Sequence, residues 1–173
     1  MTDPYTSSAP SEPERPVETT VIAFIAIIAA TALVAALGGL VSAGEADPWY
    51  ATLNKAPGNP PGAVFGIVWP ILYALMAIGA CMVWRAAGSF KKTEAALGFF
   101  FLQLAPNLAW SLLFFKYHLA VPALIDLAAL LVLVLMMTRE FHRHSRIAAW
   151  MQAPYIVWLC FAGYLNAWVA FAN

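Results

Sequence analysis

The feature that most constrains this chain is a series of five apolar segments, each long enough to cross a lipid bilayer as a helix. These segments are Val21–Val41, Gly62–Trp84, Ala95–Phe115, Leu119–Thr138 and Ile147–Phe171. About 20 residues, at a rise of roughly 1.5 Å each, span a hydrocarbon core of about 30 Å. Because the connections after the second segment are short, the sequence predicts an all-α membrane protein, a compact antiparallel bundle of five transmembrane helices.

The composition agrees with this class and excludes others. The chain has 173 residues, of which 62% are hydrophobic and 10% are charged. Soluble domains carry about 25% charged residues. The formal net charge is zero, so a nucleic-acid partner has no electrostatic support and none is expected. The three histidines lie in loops or at segment ends without a matching set of cysteines or acids, so no metal site is expected.

The first twenty residues differ from the rest of the chain. Met1–Thr20 contains prolines, serines and scattered acids but almost no apolar side chains, and we predict a disordered tail. Residues 21–173 are predicted to form one transmembrane domain.

Basic residues near the segment ends predict the orientation. Seven lie on one side, namely Arg15, Arg85, Lys91, Lys92, Arg139, Arg143 and Arg146. The other side has only Lys55 and Lys116. This bias predicts a cytoplasmic N-terminus if the protein lies in a bacterial inner membrane.

The connection Ser42–Pro61 is long enough to fold back over one end of the bundle. Its prolines, Pro48, Pro57, Pro60 and Pro61, argue against a regular helix there. In the helix that follows, Trp69 and Tyr73 are four residues apart and therefore share one face. A proline-ordered loop that leads into an aromatic face suggests a lid over a pocket.

Polar side chains inside a membrane are costly, so their pattern is informative. Gln103, Asn107, Trp110 and Ser111 follow helical spacing and form one stripe that should face the bundle interior or a cavity. Trp158 and Asn166, eight residues apart with Ala162 between them, form a similar face. Packing alone would also explain both stripes.

Asp126 lies about two turns into the fourth segment. A charge at mid-depth costs on the order of 2.5–3.5 kcal/mol, so we expect this residue to face the bundle, paired or protonated. A helix–helix hydrogen bond explains it, and so does a ligand or proton site.

Several short motifs together resemble the TspO/MBR family, the tryptophan-rich sensory proteins and translocator proteins. In chain order they are WYxxLxK from Trp49, Pro60-Pro61, GxVWxxLYxxM from Gly66, VWR from Val83, QLAxNxAW from Gln103, Phe114-Phe115, LIDL from Leu124, PYxxW from Pro154, Phe161-Ala162 and Leu165-Asn166. The match extends over about 125 residues in the correct order and spacing. Two positions depart from the family's loop, where Ala56 and Gly58 replace a proline and a tryptophan.

The resemblance implies five transmembrane helices, often dimeric, around a pocket capped by the first loop. The loop residues that match are Trp49, Tyr50, Lys55, Pro60 and Pro61. It also implies binding of porphyrins and other tetrapyrroles, with porphyrin or haem as a ligand rather than an obligatory cofactor. By motif match, Trp69 and Trp158 correspond to pocket tryptophans implicated in porphyrin binding and breakdown, and Tyr73 and Asn107 lie in matching stripes.

We therefore expect a tetrapyrrole-binding membrane receptor or sensor whose partners are membrane lipid and the porphyrin-like ligand. The resemblance also allows a homodimer. No histidine lies in a segment core, so recognition of the ring is expected rather than ligation of its metal. The alternatives are a photo-oxidative porphyrin-degrading enzyme with Trp69 and Trp158 as redox groups, and a transporter of porphyrins or lipids.

Overall fold

The structure, a computed structural model, describes residues 17–42 and 48–173. Its helices are α1 (Val17–Val41), α2 (Pro48–Thr52), α3 (Gly62–Ala87), α4 (Phe90–Ser111), a π-helical turn (Leu112–Lys116), α5 (Ala120–His144), α6 (Arg146–Trp150) and α7 (Ala153–Ala172). Five spans are long and apolar enough to cross a membrane, which confirms the predicted fold class. Most of the predicted disordered tail lies outside the described residues, and residues 17–20 belong to α1.

Tight connections make neighbouring helices antiparallel. α3 ends at Gly88, whose φ of 76° is in the left-handed region that glycine adopts without steric cost. Its backbone N–H donates to the carbonyl of Trp84. Ser89 then caps α4 by accepting a hydrogen bond from the backbone N–H of Lys92 at 3.3 Å. The chain thus reverses direction within two residues, and α4 goes on to pack against α5, as α5 does against α7.

Arg15 lies outside the described residues, and the other basic residues are distributed between the two ends as predicted. Arg85 lies in the last turn of α3, and Lys91 and Lys92 lie in the first turn of α4. At the opposite end, Lys55 lies in the connection between α2 and α3, and Lys116 is the last residue of the π-helical turn. Which end faces the cytoplasm stays a prediction.

The fifth span is interrupted, whereas the sequence predicted one continuous helix over Ile147–Phe171. α6 stops at Trp150, a turn follows, and α7 begins at Ala153. Pro154 lies in the first turn of α7, where a missing backbone N–H breaks no intrahelical hydrogen bond. Proline therefore begins a new helix here instead of kinking a long one.

The loop between α1 and α3 also differs in part from expectation. The prediction that prolines exclude helix is wrong at Pro48–Thr52, which forms the short helix α2. Pro48 is its first residue, the position at which proline is best tolerated. Pro57, Pro60 and Pro61 do lie in non-helical backbone. Polar contacts hold this segment against α7: the Asn54 N–H donates to Asn173 Oδ1 at 2.7 Å, and the Tyr164 hydroxyl donates to the Pro57 carbonyl at 3.1 Å.

Close packing at Gly79 yields a stability prediction. A Cβ added there would lie 2.4 Å from Gln152 Nε2 and 3.3 Å from the Ala148 carbonyl oxygen. Gln152 is fully buried and donates to that same carbonyl, so it has little room to move. We expect Gly79→Ala to lower the free energy of unfolding, relative to Gly98→Ala, by about 1–3 kcal/mol.

Gly98 is the matched control because it also lies within a helix, but a Cβ there meets nothing within 4 Å. Both substitutions gain the same helix propensity, about 1 kcal/mol, so their difference isolates the contact. Unfolding in detergent, followed by circular dichroism, measures it. Equal stability of the two variants would contradict the packing at Gly79.

Candidate functional site

A cavity of about 480 Å³ lies inside the bundle. Four long helices contribute to its wall, together with α2, the segment after α2 and the π-helical turn. The lining residues are Ala35, Gly38, Gly39 and Ser42 at α1, Tyr50 and Asn59 in the loop region, Gly62, Ala63, Phe65, Gly66, Trp69, Pro70 and Tyr73 on α3, Trp110, Ser111, Phe114 and Phe115 around the end of α4, and Ala162, Leu165, Asn166 and Val169 on α7. Among these described residues none carries a charge.

Aromatic rings form one continuous wall of the cavity. The Trp69 and Trp110 ring centroids are 6.1 Å apart, and Trp110 stacks on Phe114 at 5.6 Å with an interplanar angle of 19°. Tyr73 follows Trp69 on the same face of α3, 5.7 Å away. Aromatic rings present large apolar faces with specific stacking geometry, so this wall suits a flat aromatic ligand.

A chain of buried hydrogen bonds lies behind the aromatic wall. The Tyr73 hydroxyl donates to Asn107 Oδ1. The Asn107 amide donates to the Tyr155 hydroxyl at 2.7 Å, which donates to Gln103 Oε1 at 3.0 Å. Gln103 is 0% exposed and Asn107 is 2% exposed, so water does not compete for these bonds. The network joins α3, α4 and α7 and thereby sets the rotation of all three.

A second polar pair fixes the plane of the Trp110 ring. The Trp110 indole N–H donates to Asn166 Oδ1 at 3.0 Å. The Asn166 amide in turn donates to the Ala120 carbonyl at 2.7 Å, at the start of α5. Because both ends of Asn166 are engaged, Trp110 is held against one side of the cavity.

Residues of the connection between α1 and α3 contribute to the lining of the cavity. The Tyr50 hydroxyl donates to Asn59 Oδ1 at 3.1 Å, and both side chains line the cavity. Lys55 places its ammonium 4.6 Å from the Tyr50 ring centroid, a cation–π distance. Trp49 stacks on His118 at 4.2 Å, so the loop is braced against the connection between α4 and α5.

The structure brings together many of the side chains predicted from the sequence. Those that line the cavity are Trp69, Tyr73, Trp110, Ala162, Asn166 and Tyr50. Those that do not line it are Trp158, Asn107, Gln103, Asp126, Trp49, Lys55, Pro60 and Pro61. Asn107 and Gln103 nevertheless support the wall through the hydrogen-bonded network, so the polar stripe on α4 is a real feature of the interior.

Trp158 is not among the residues that line the cavity. Its ring packs edge-on against Phe65 and at a tilt against Phe161, each at a centroid distance of 5.6 Å. Its indole N–H is enclosed without a hydrogen-bond partner among the described residues. Phe65 lines the cavity, so Trp158 contacts a lining residue without itself lining the cavity.

Asp126 lies away from this cavity. It is half-buried, and its Oδ2 is enclosed without a hydrogen-bond partner among the described residues. The helix–helix hydrogen bond that the sequence suggested is therefore not formed at Oδ2.

Sequence reasoning missed the wall contributed by α1. Ala35, Gly38 and Gly39 line the cavity, and a Cβ at Gly38 would lie 3.5 Å from Ser111 Oγ. The only signal is the recurrence of small residues at three- and four-residue spacing, which is also typical of helix–helix contacts in membranes.

These observations define a multi-pass integral membrane protein whose helices enclose an uncharged, aromatic-walled cavity of small-molecule size. The model of the TspO/MBR family matches residues 24–171, and the chain belongs to that family. This confirms the resemblance found in the sequence.

Three relatives illustrate the breadth of the family. The chain is 38% identical to the translocator protein of Bos taurus over 139 residues, 78% of this chain and 82% of the relative. It is 31% identical to the tryptophan-rich protein TspO of Archaeoglobus fulgidus over 146 residues, 84% of this chain and 94% of the relative. It is also 31% identical to protein CrtK of Rhodobacter capsulatus over 143 residues, 83% of this chain and 88% of the relative.

The buried network predicts energetic coupling between α3 and α4. In a double-mutant cycle of Tyr73→Phe and Asn107→Ala, we expect a coupling energy of about 0.6–1.7 kcal/mol, since membrane hydrogen bonds have this strength. Unfolding by sodium dodecyl sulfate in mixed micelles measures the four stabilities.

The control cycle pairs Asn107→Ala with Tyr164→Phe, whose hydroxyl bonds to the loop at Pro57 instead. These two effects should add within about 0.3–0.5 kcal/mol. Additivity in the Tyr73 cycle as well would show that the Tyr73–Asn107 bond does not stabilise the fold.

Proposed function

We propose that this protein binds a tetrapyrrole, a porphyrin or haem, in the cavity enclosed by α1, α3, α4 and α7, and acts as a membrane receptor or sensor of that ligand. The observation that carries the proposal is the uncharged cavity with its continuous wall of Trp69, Trp110 and Phe114. Its volume of about 480 Å³ lies within the range of about 300–1,000 Å³ that small-molecule pockets occupy.

The chemistry of the wall suits the ring of a tetrapyrrole better than its metal. A tetrapyrrole is a flat aromatic plate with carboxylates at one edge, and indole faces bury such a plate by stacking. Among the described lining residues there is no histidine, which is the side chain that most often ligates haem iron. Ring contacts therefore supply the affinity, and the iron is not needed for binding.

The carboxylate edge belongs at the loop end of the cavity. No described lining residue is cationic, so carboxylates inside the cavity would be buried without a partner at a high cost. Lys55 lies on the Tyr50 ring, where loop residues line the cavity. The proposed ligand thus inserts its apolar edge first and leaves its carboxylates toward Lys55, under the loop that serves as its lid.

A titration tests the proposal. Protoporphyrin IX is added to the detergent-purified protein, and binding is followed by porphyrin absorbance and by quenching of tryptophan fluorescence. We expect Trp69→Leu to raise Kd by about tenfold, or ~1.4 kcal/mol, because one stacking face is lost. Trp150→Leu is the matched control, since Trp150 is 74% exposed at the end of α6 and far from the aromatic wall.

A cavity-filling pair makes the test independent of tryptophan. Gly66 lines the cavity and a Cβ there meets nothing within 4 Å, so Gly66→Leu should occupy ligand space without a clash. Gly98→Leu adds the same side chain on α4 outside the cavity. Loss of binding in both glycine variants, or in neither, would mean that the porphyrin binds elsewhere or partitions into the micelle.

A photo-oxidative breakdown of porphyrin is the second candidate, and one observation favours it. Trp69 lies within ring-contact distance of three oxidisable side chains, with centroids 5.7 Å from Tyr73, 6.1 Å from Trp110 and 6.3 Å from Tyr155. Such a cluster could pass an oxidising equivalent away from an excited ligand that reacts with oxygen.

Illumination of the loaded protein in air separates this activity from binding alone. A breakdown activity predicts a new product spectrum that is lost in the Trp69→Phe, Trp158→Phe double variant and retained in Trp150→Phe. If the porphyrin stays bound and no product forms, the protein is a binder only.

A further inference from the structure

A second cavity lies on the outer surface of the bundle, between α1 and α3. Its volume is about 230 Å³, and it shares no lining residue with the central cavity. It is lined by Phe24, Ile28, Ala77, Ile78, Cys81, Met82 and Arg85. All of these side chains are half-buried or exposed, so in a membrane this groove opens toward lipid.

The groove follows one face of α3. Ala77, Cys81 and Arg85 follow one another at intervals of four residues and therefore lie along one face of α3. Eight residues of helix extend about 12 Å, so the groove runs from the end of α3 toward the membrane interior. Along this face the lining side chains of Ala77 and Cys81 are small, whereas Phe24 and Met82 contribute bulkier groups to the lining.

A single charged residue stands at one end of this apolar groove. Arg85 is exposed in the last turn of α3. Within residues 17–42 and 48–173, its guanidinium has no hydrogen bond or ion pair, whereas Arg143 is paired with Glu140 at 2.8 Å. A guanidinium stays charged at any physiological pH and presents a planar fork that fits phosphate oxygens.

The surroundings of Arg85 are also cationic. Lys91 and Lys92 begin the neighbouring helix α4 on the same side of the bundle. Basic residues at a membrane surface attract anionic lipid headgroups. A second copy of this chain seated symmetrically on the groove would bring its own Arg85 close to this one, so like charges would oppose that occupant.

We propose that the groove between α1 and α3 is a binding site for one anionic phospholipid, with an acyl chain along Ala77 and Cys81 and the phosphate on Arg85. The apolar groove and the unpaired cation at its end match the two halves of such a lipid. A zwitterionic lipid of equal chain length fits the groove equally well but gains less from Arg85, because its headgroup has no net charge.

Native mass spectrometry of the full chain tests the proposal. The protein in mild detergent is mixed with equal amounts of phosphatidylglycerol and phosphatidylcholine that carry the same acyl chains. We expect one phosphatidylglycerol to be retained in preference, and Arg85→Gln to reduce that preference about fivefold, the effect of one basic residue at an anionic surface. Arg139→Gln, the matched cation outside the groove, should leave the preference unchanged.

A groove-filling variant locates the lipid. Ala77→Phe places a ring in the groove and should reduce retention of both lipids, while circular dichroism confirms unchanged helicity. Equal retention of the two lipids by the unmodified protein would overturn the proposal. Equal effects of Arg85→Gln and Arg139→Gln would also overturn it, because they would indicate diffuse surface charge. A change in dimer fraction in Ala77→Phe without a change in lipid retention would overturn it as well, because it would indicate a second copy in the groove.

Discussion

The structure depends on the fact that a hydrocarbon environment offers polar side chains no hydrogen-bond partner. Apolar contact alone does little to hold helices together in lipid, because lipid tails are as apolar as leucine. The hydrogen bonds among Tyr73, Asn107, Tyr155 and Gln103 therefore supply what apolar contact cannot, a unique rotation for α3, α4 and α7. Trp69 lies one turn before Tyr73, so the same bonds also position the aromatic wall.

The cavity thus combines two kinds of surface with separate tasks. The polar groups behind the wall are nearly all committed to one another, and the groups that face the cavity are mainly apolar and aromatic. Because the surface is preorganised, ligand binding loses little conformational entropy in ordering the side chains that the ligand contacts. If the protein is the proposed receptor, affinity would come from contact area and stacking, and a small number of polar groups near the loop would decide the ligand's orientation.

The sequence was sufficient to predict the spans and the polar stripe on α4, because both rest on strong signals. Length and hydropathy define a span, and a polar residue inside a span faces the protein interior or a cavity. The wall from α1 was not predictable in this way. Every side of α1 is apolar, so its pattern does not distinguish the face toward the cavity from the faces toward lipid.

The position of Trp158 shows a limit of spacing arguments. A helix turns by about 100° per residue, so residues eight apart differ by about 80° in direction. Asn166 and Ala162 line the cavity, while Trp158 does not line it and packs against Phe65. Proline at a helix start explains two further differences, the turn between α6 and α7 and the short helix α2. Proline breaks a helix from within, but it is tolerated in the first turn.

The π-helical turn at Leu112–Lys116 has a consequence for comparison of sequences across the family. Such a turn holds more residues than an α-helical turn, and isolated π turns are frequent at functional sites. Phe114 and Phe115 are consecutive, yet both line the cavity at this point. A relative that is shorter by one residue here would continue as a plain α-helix and would present a different pair of side chains to the cavity. An alignment gap in this turn would therefore indicate a changed cavity lining, even where every aligned residue is identical.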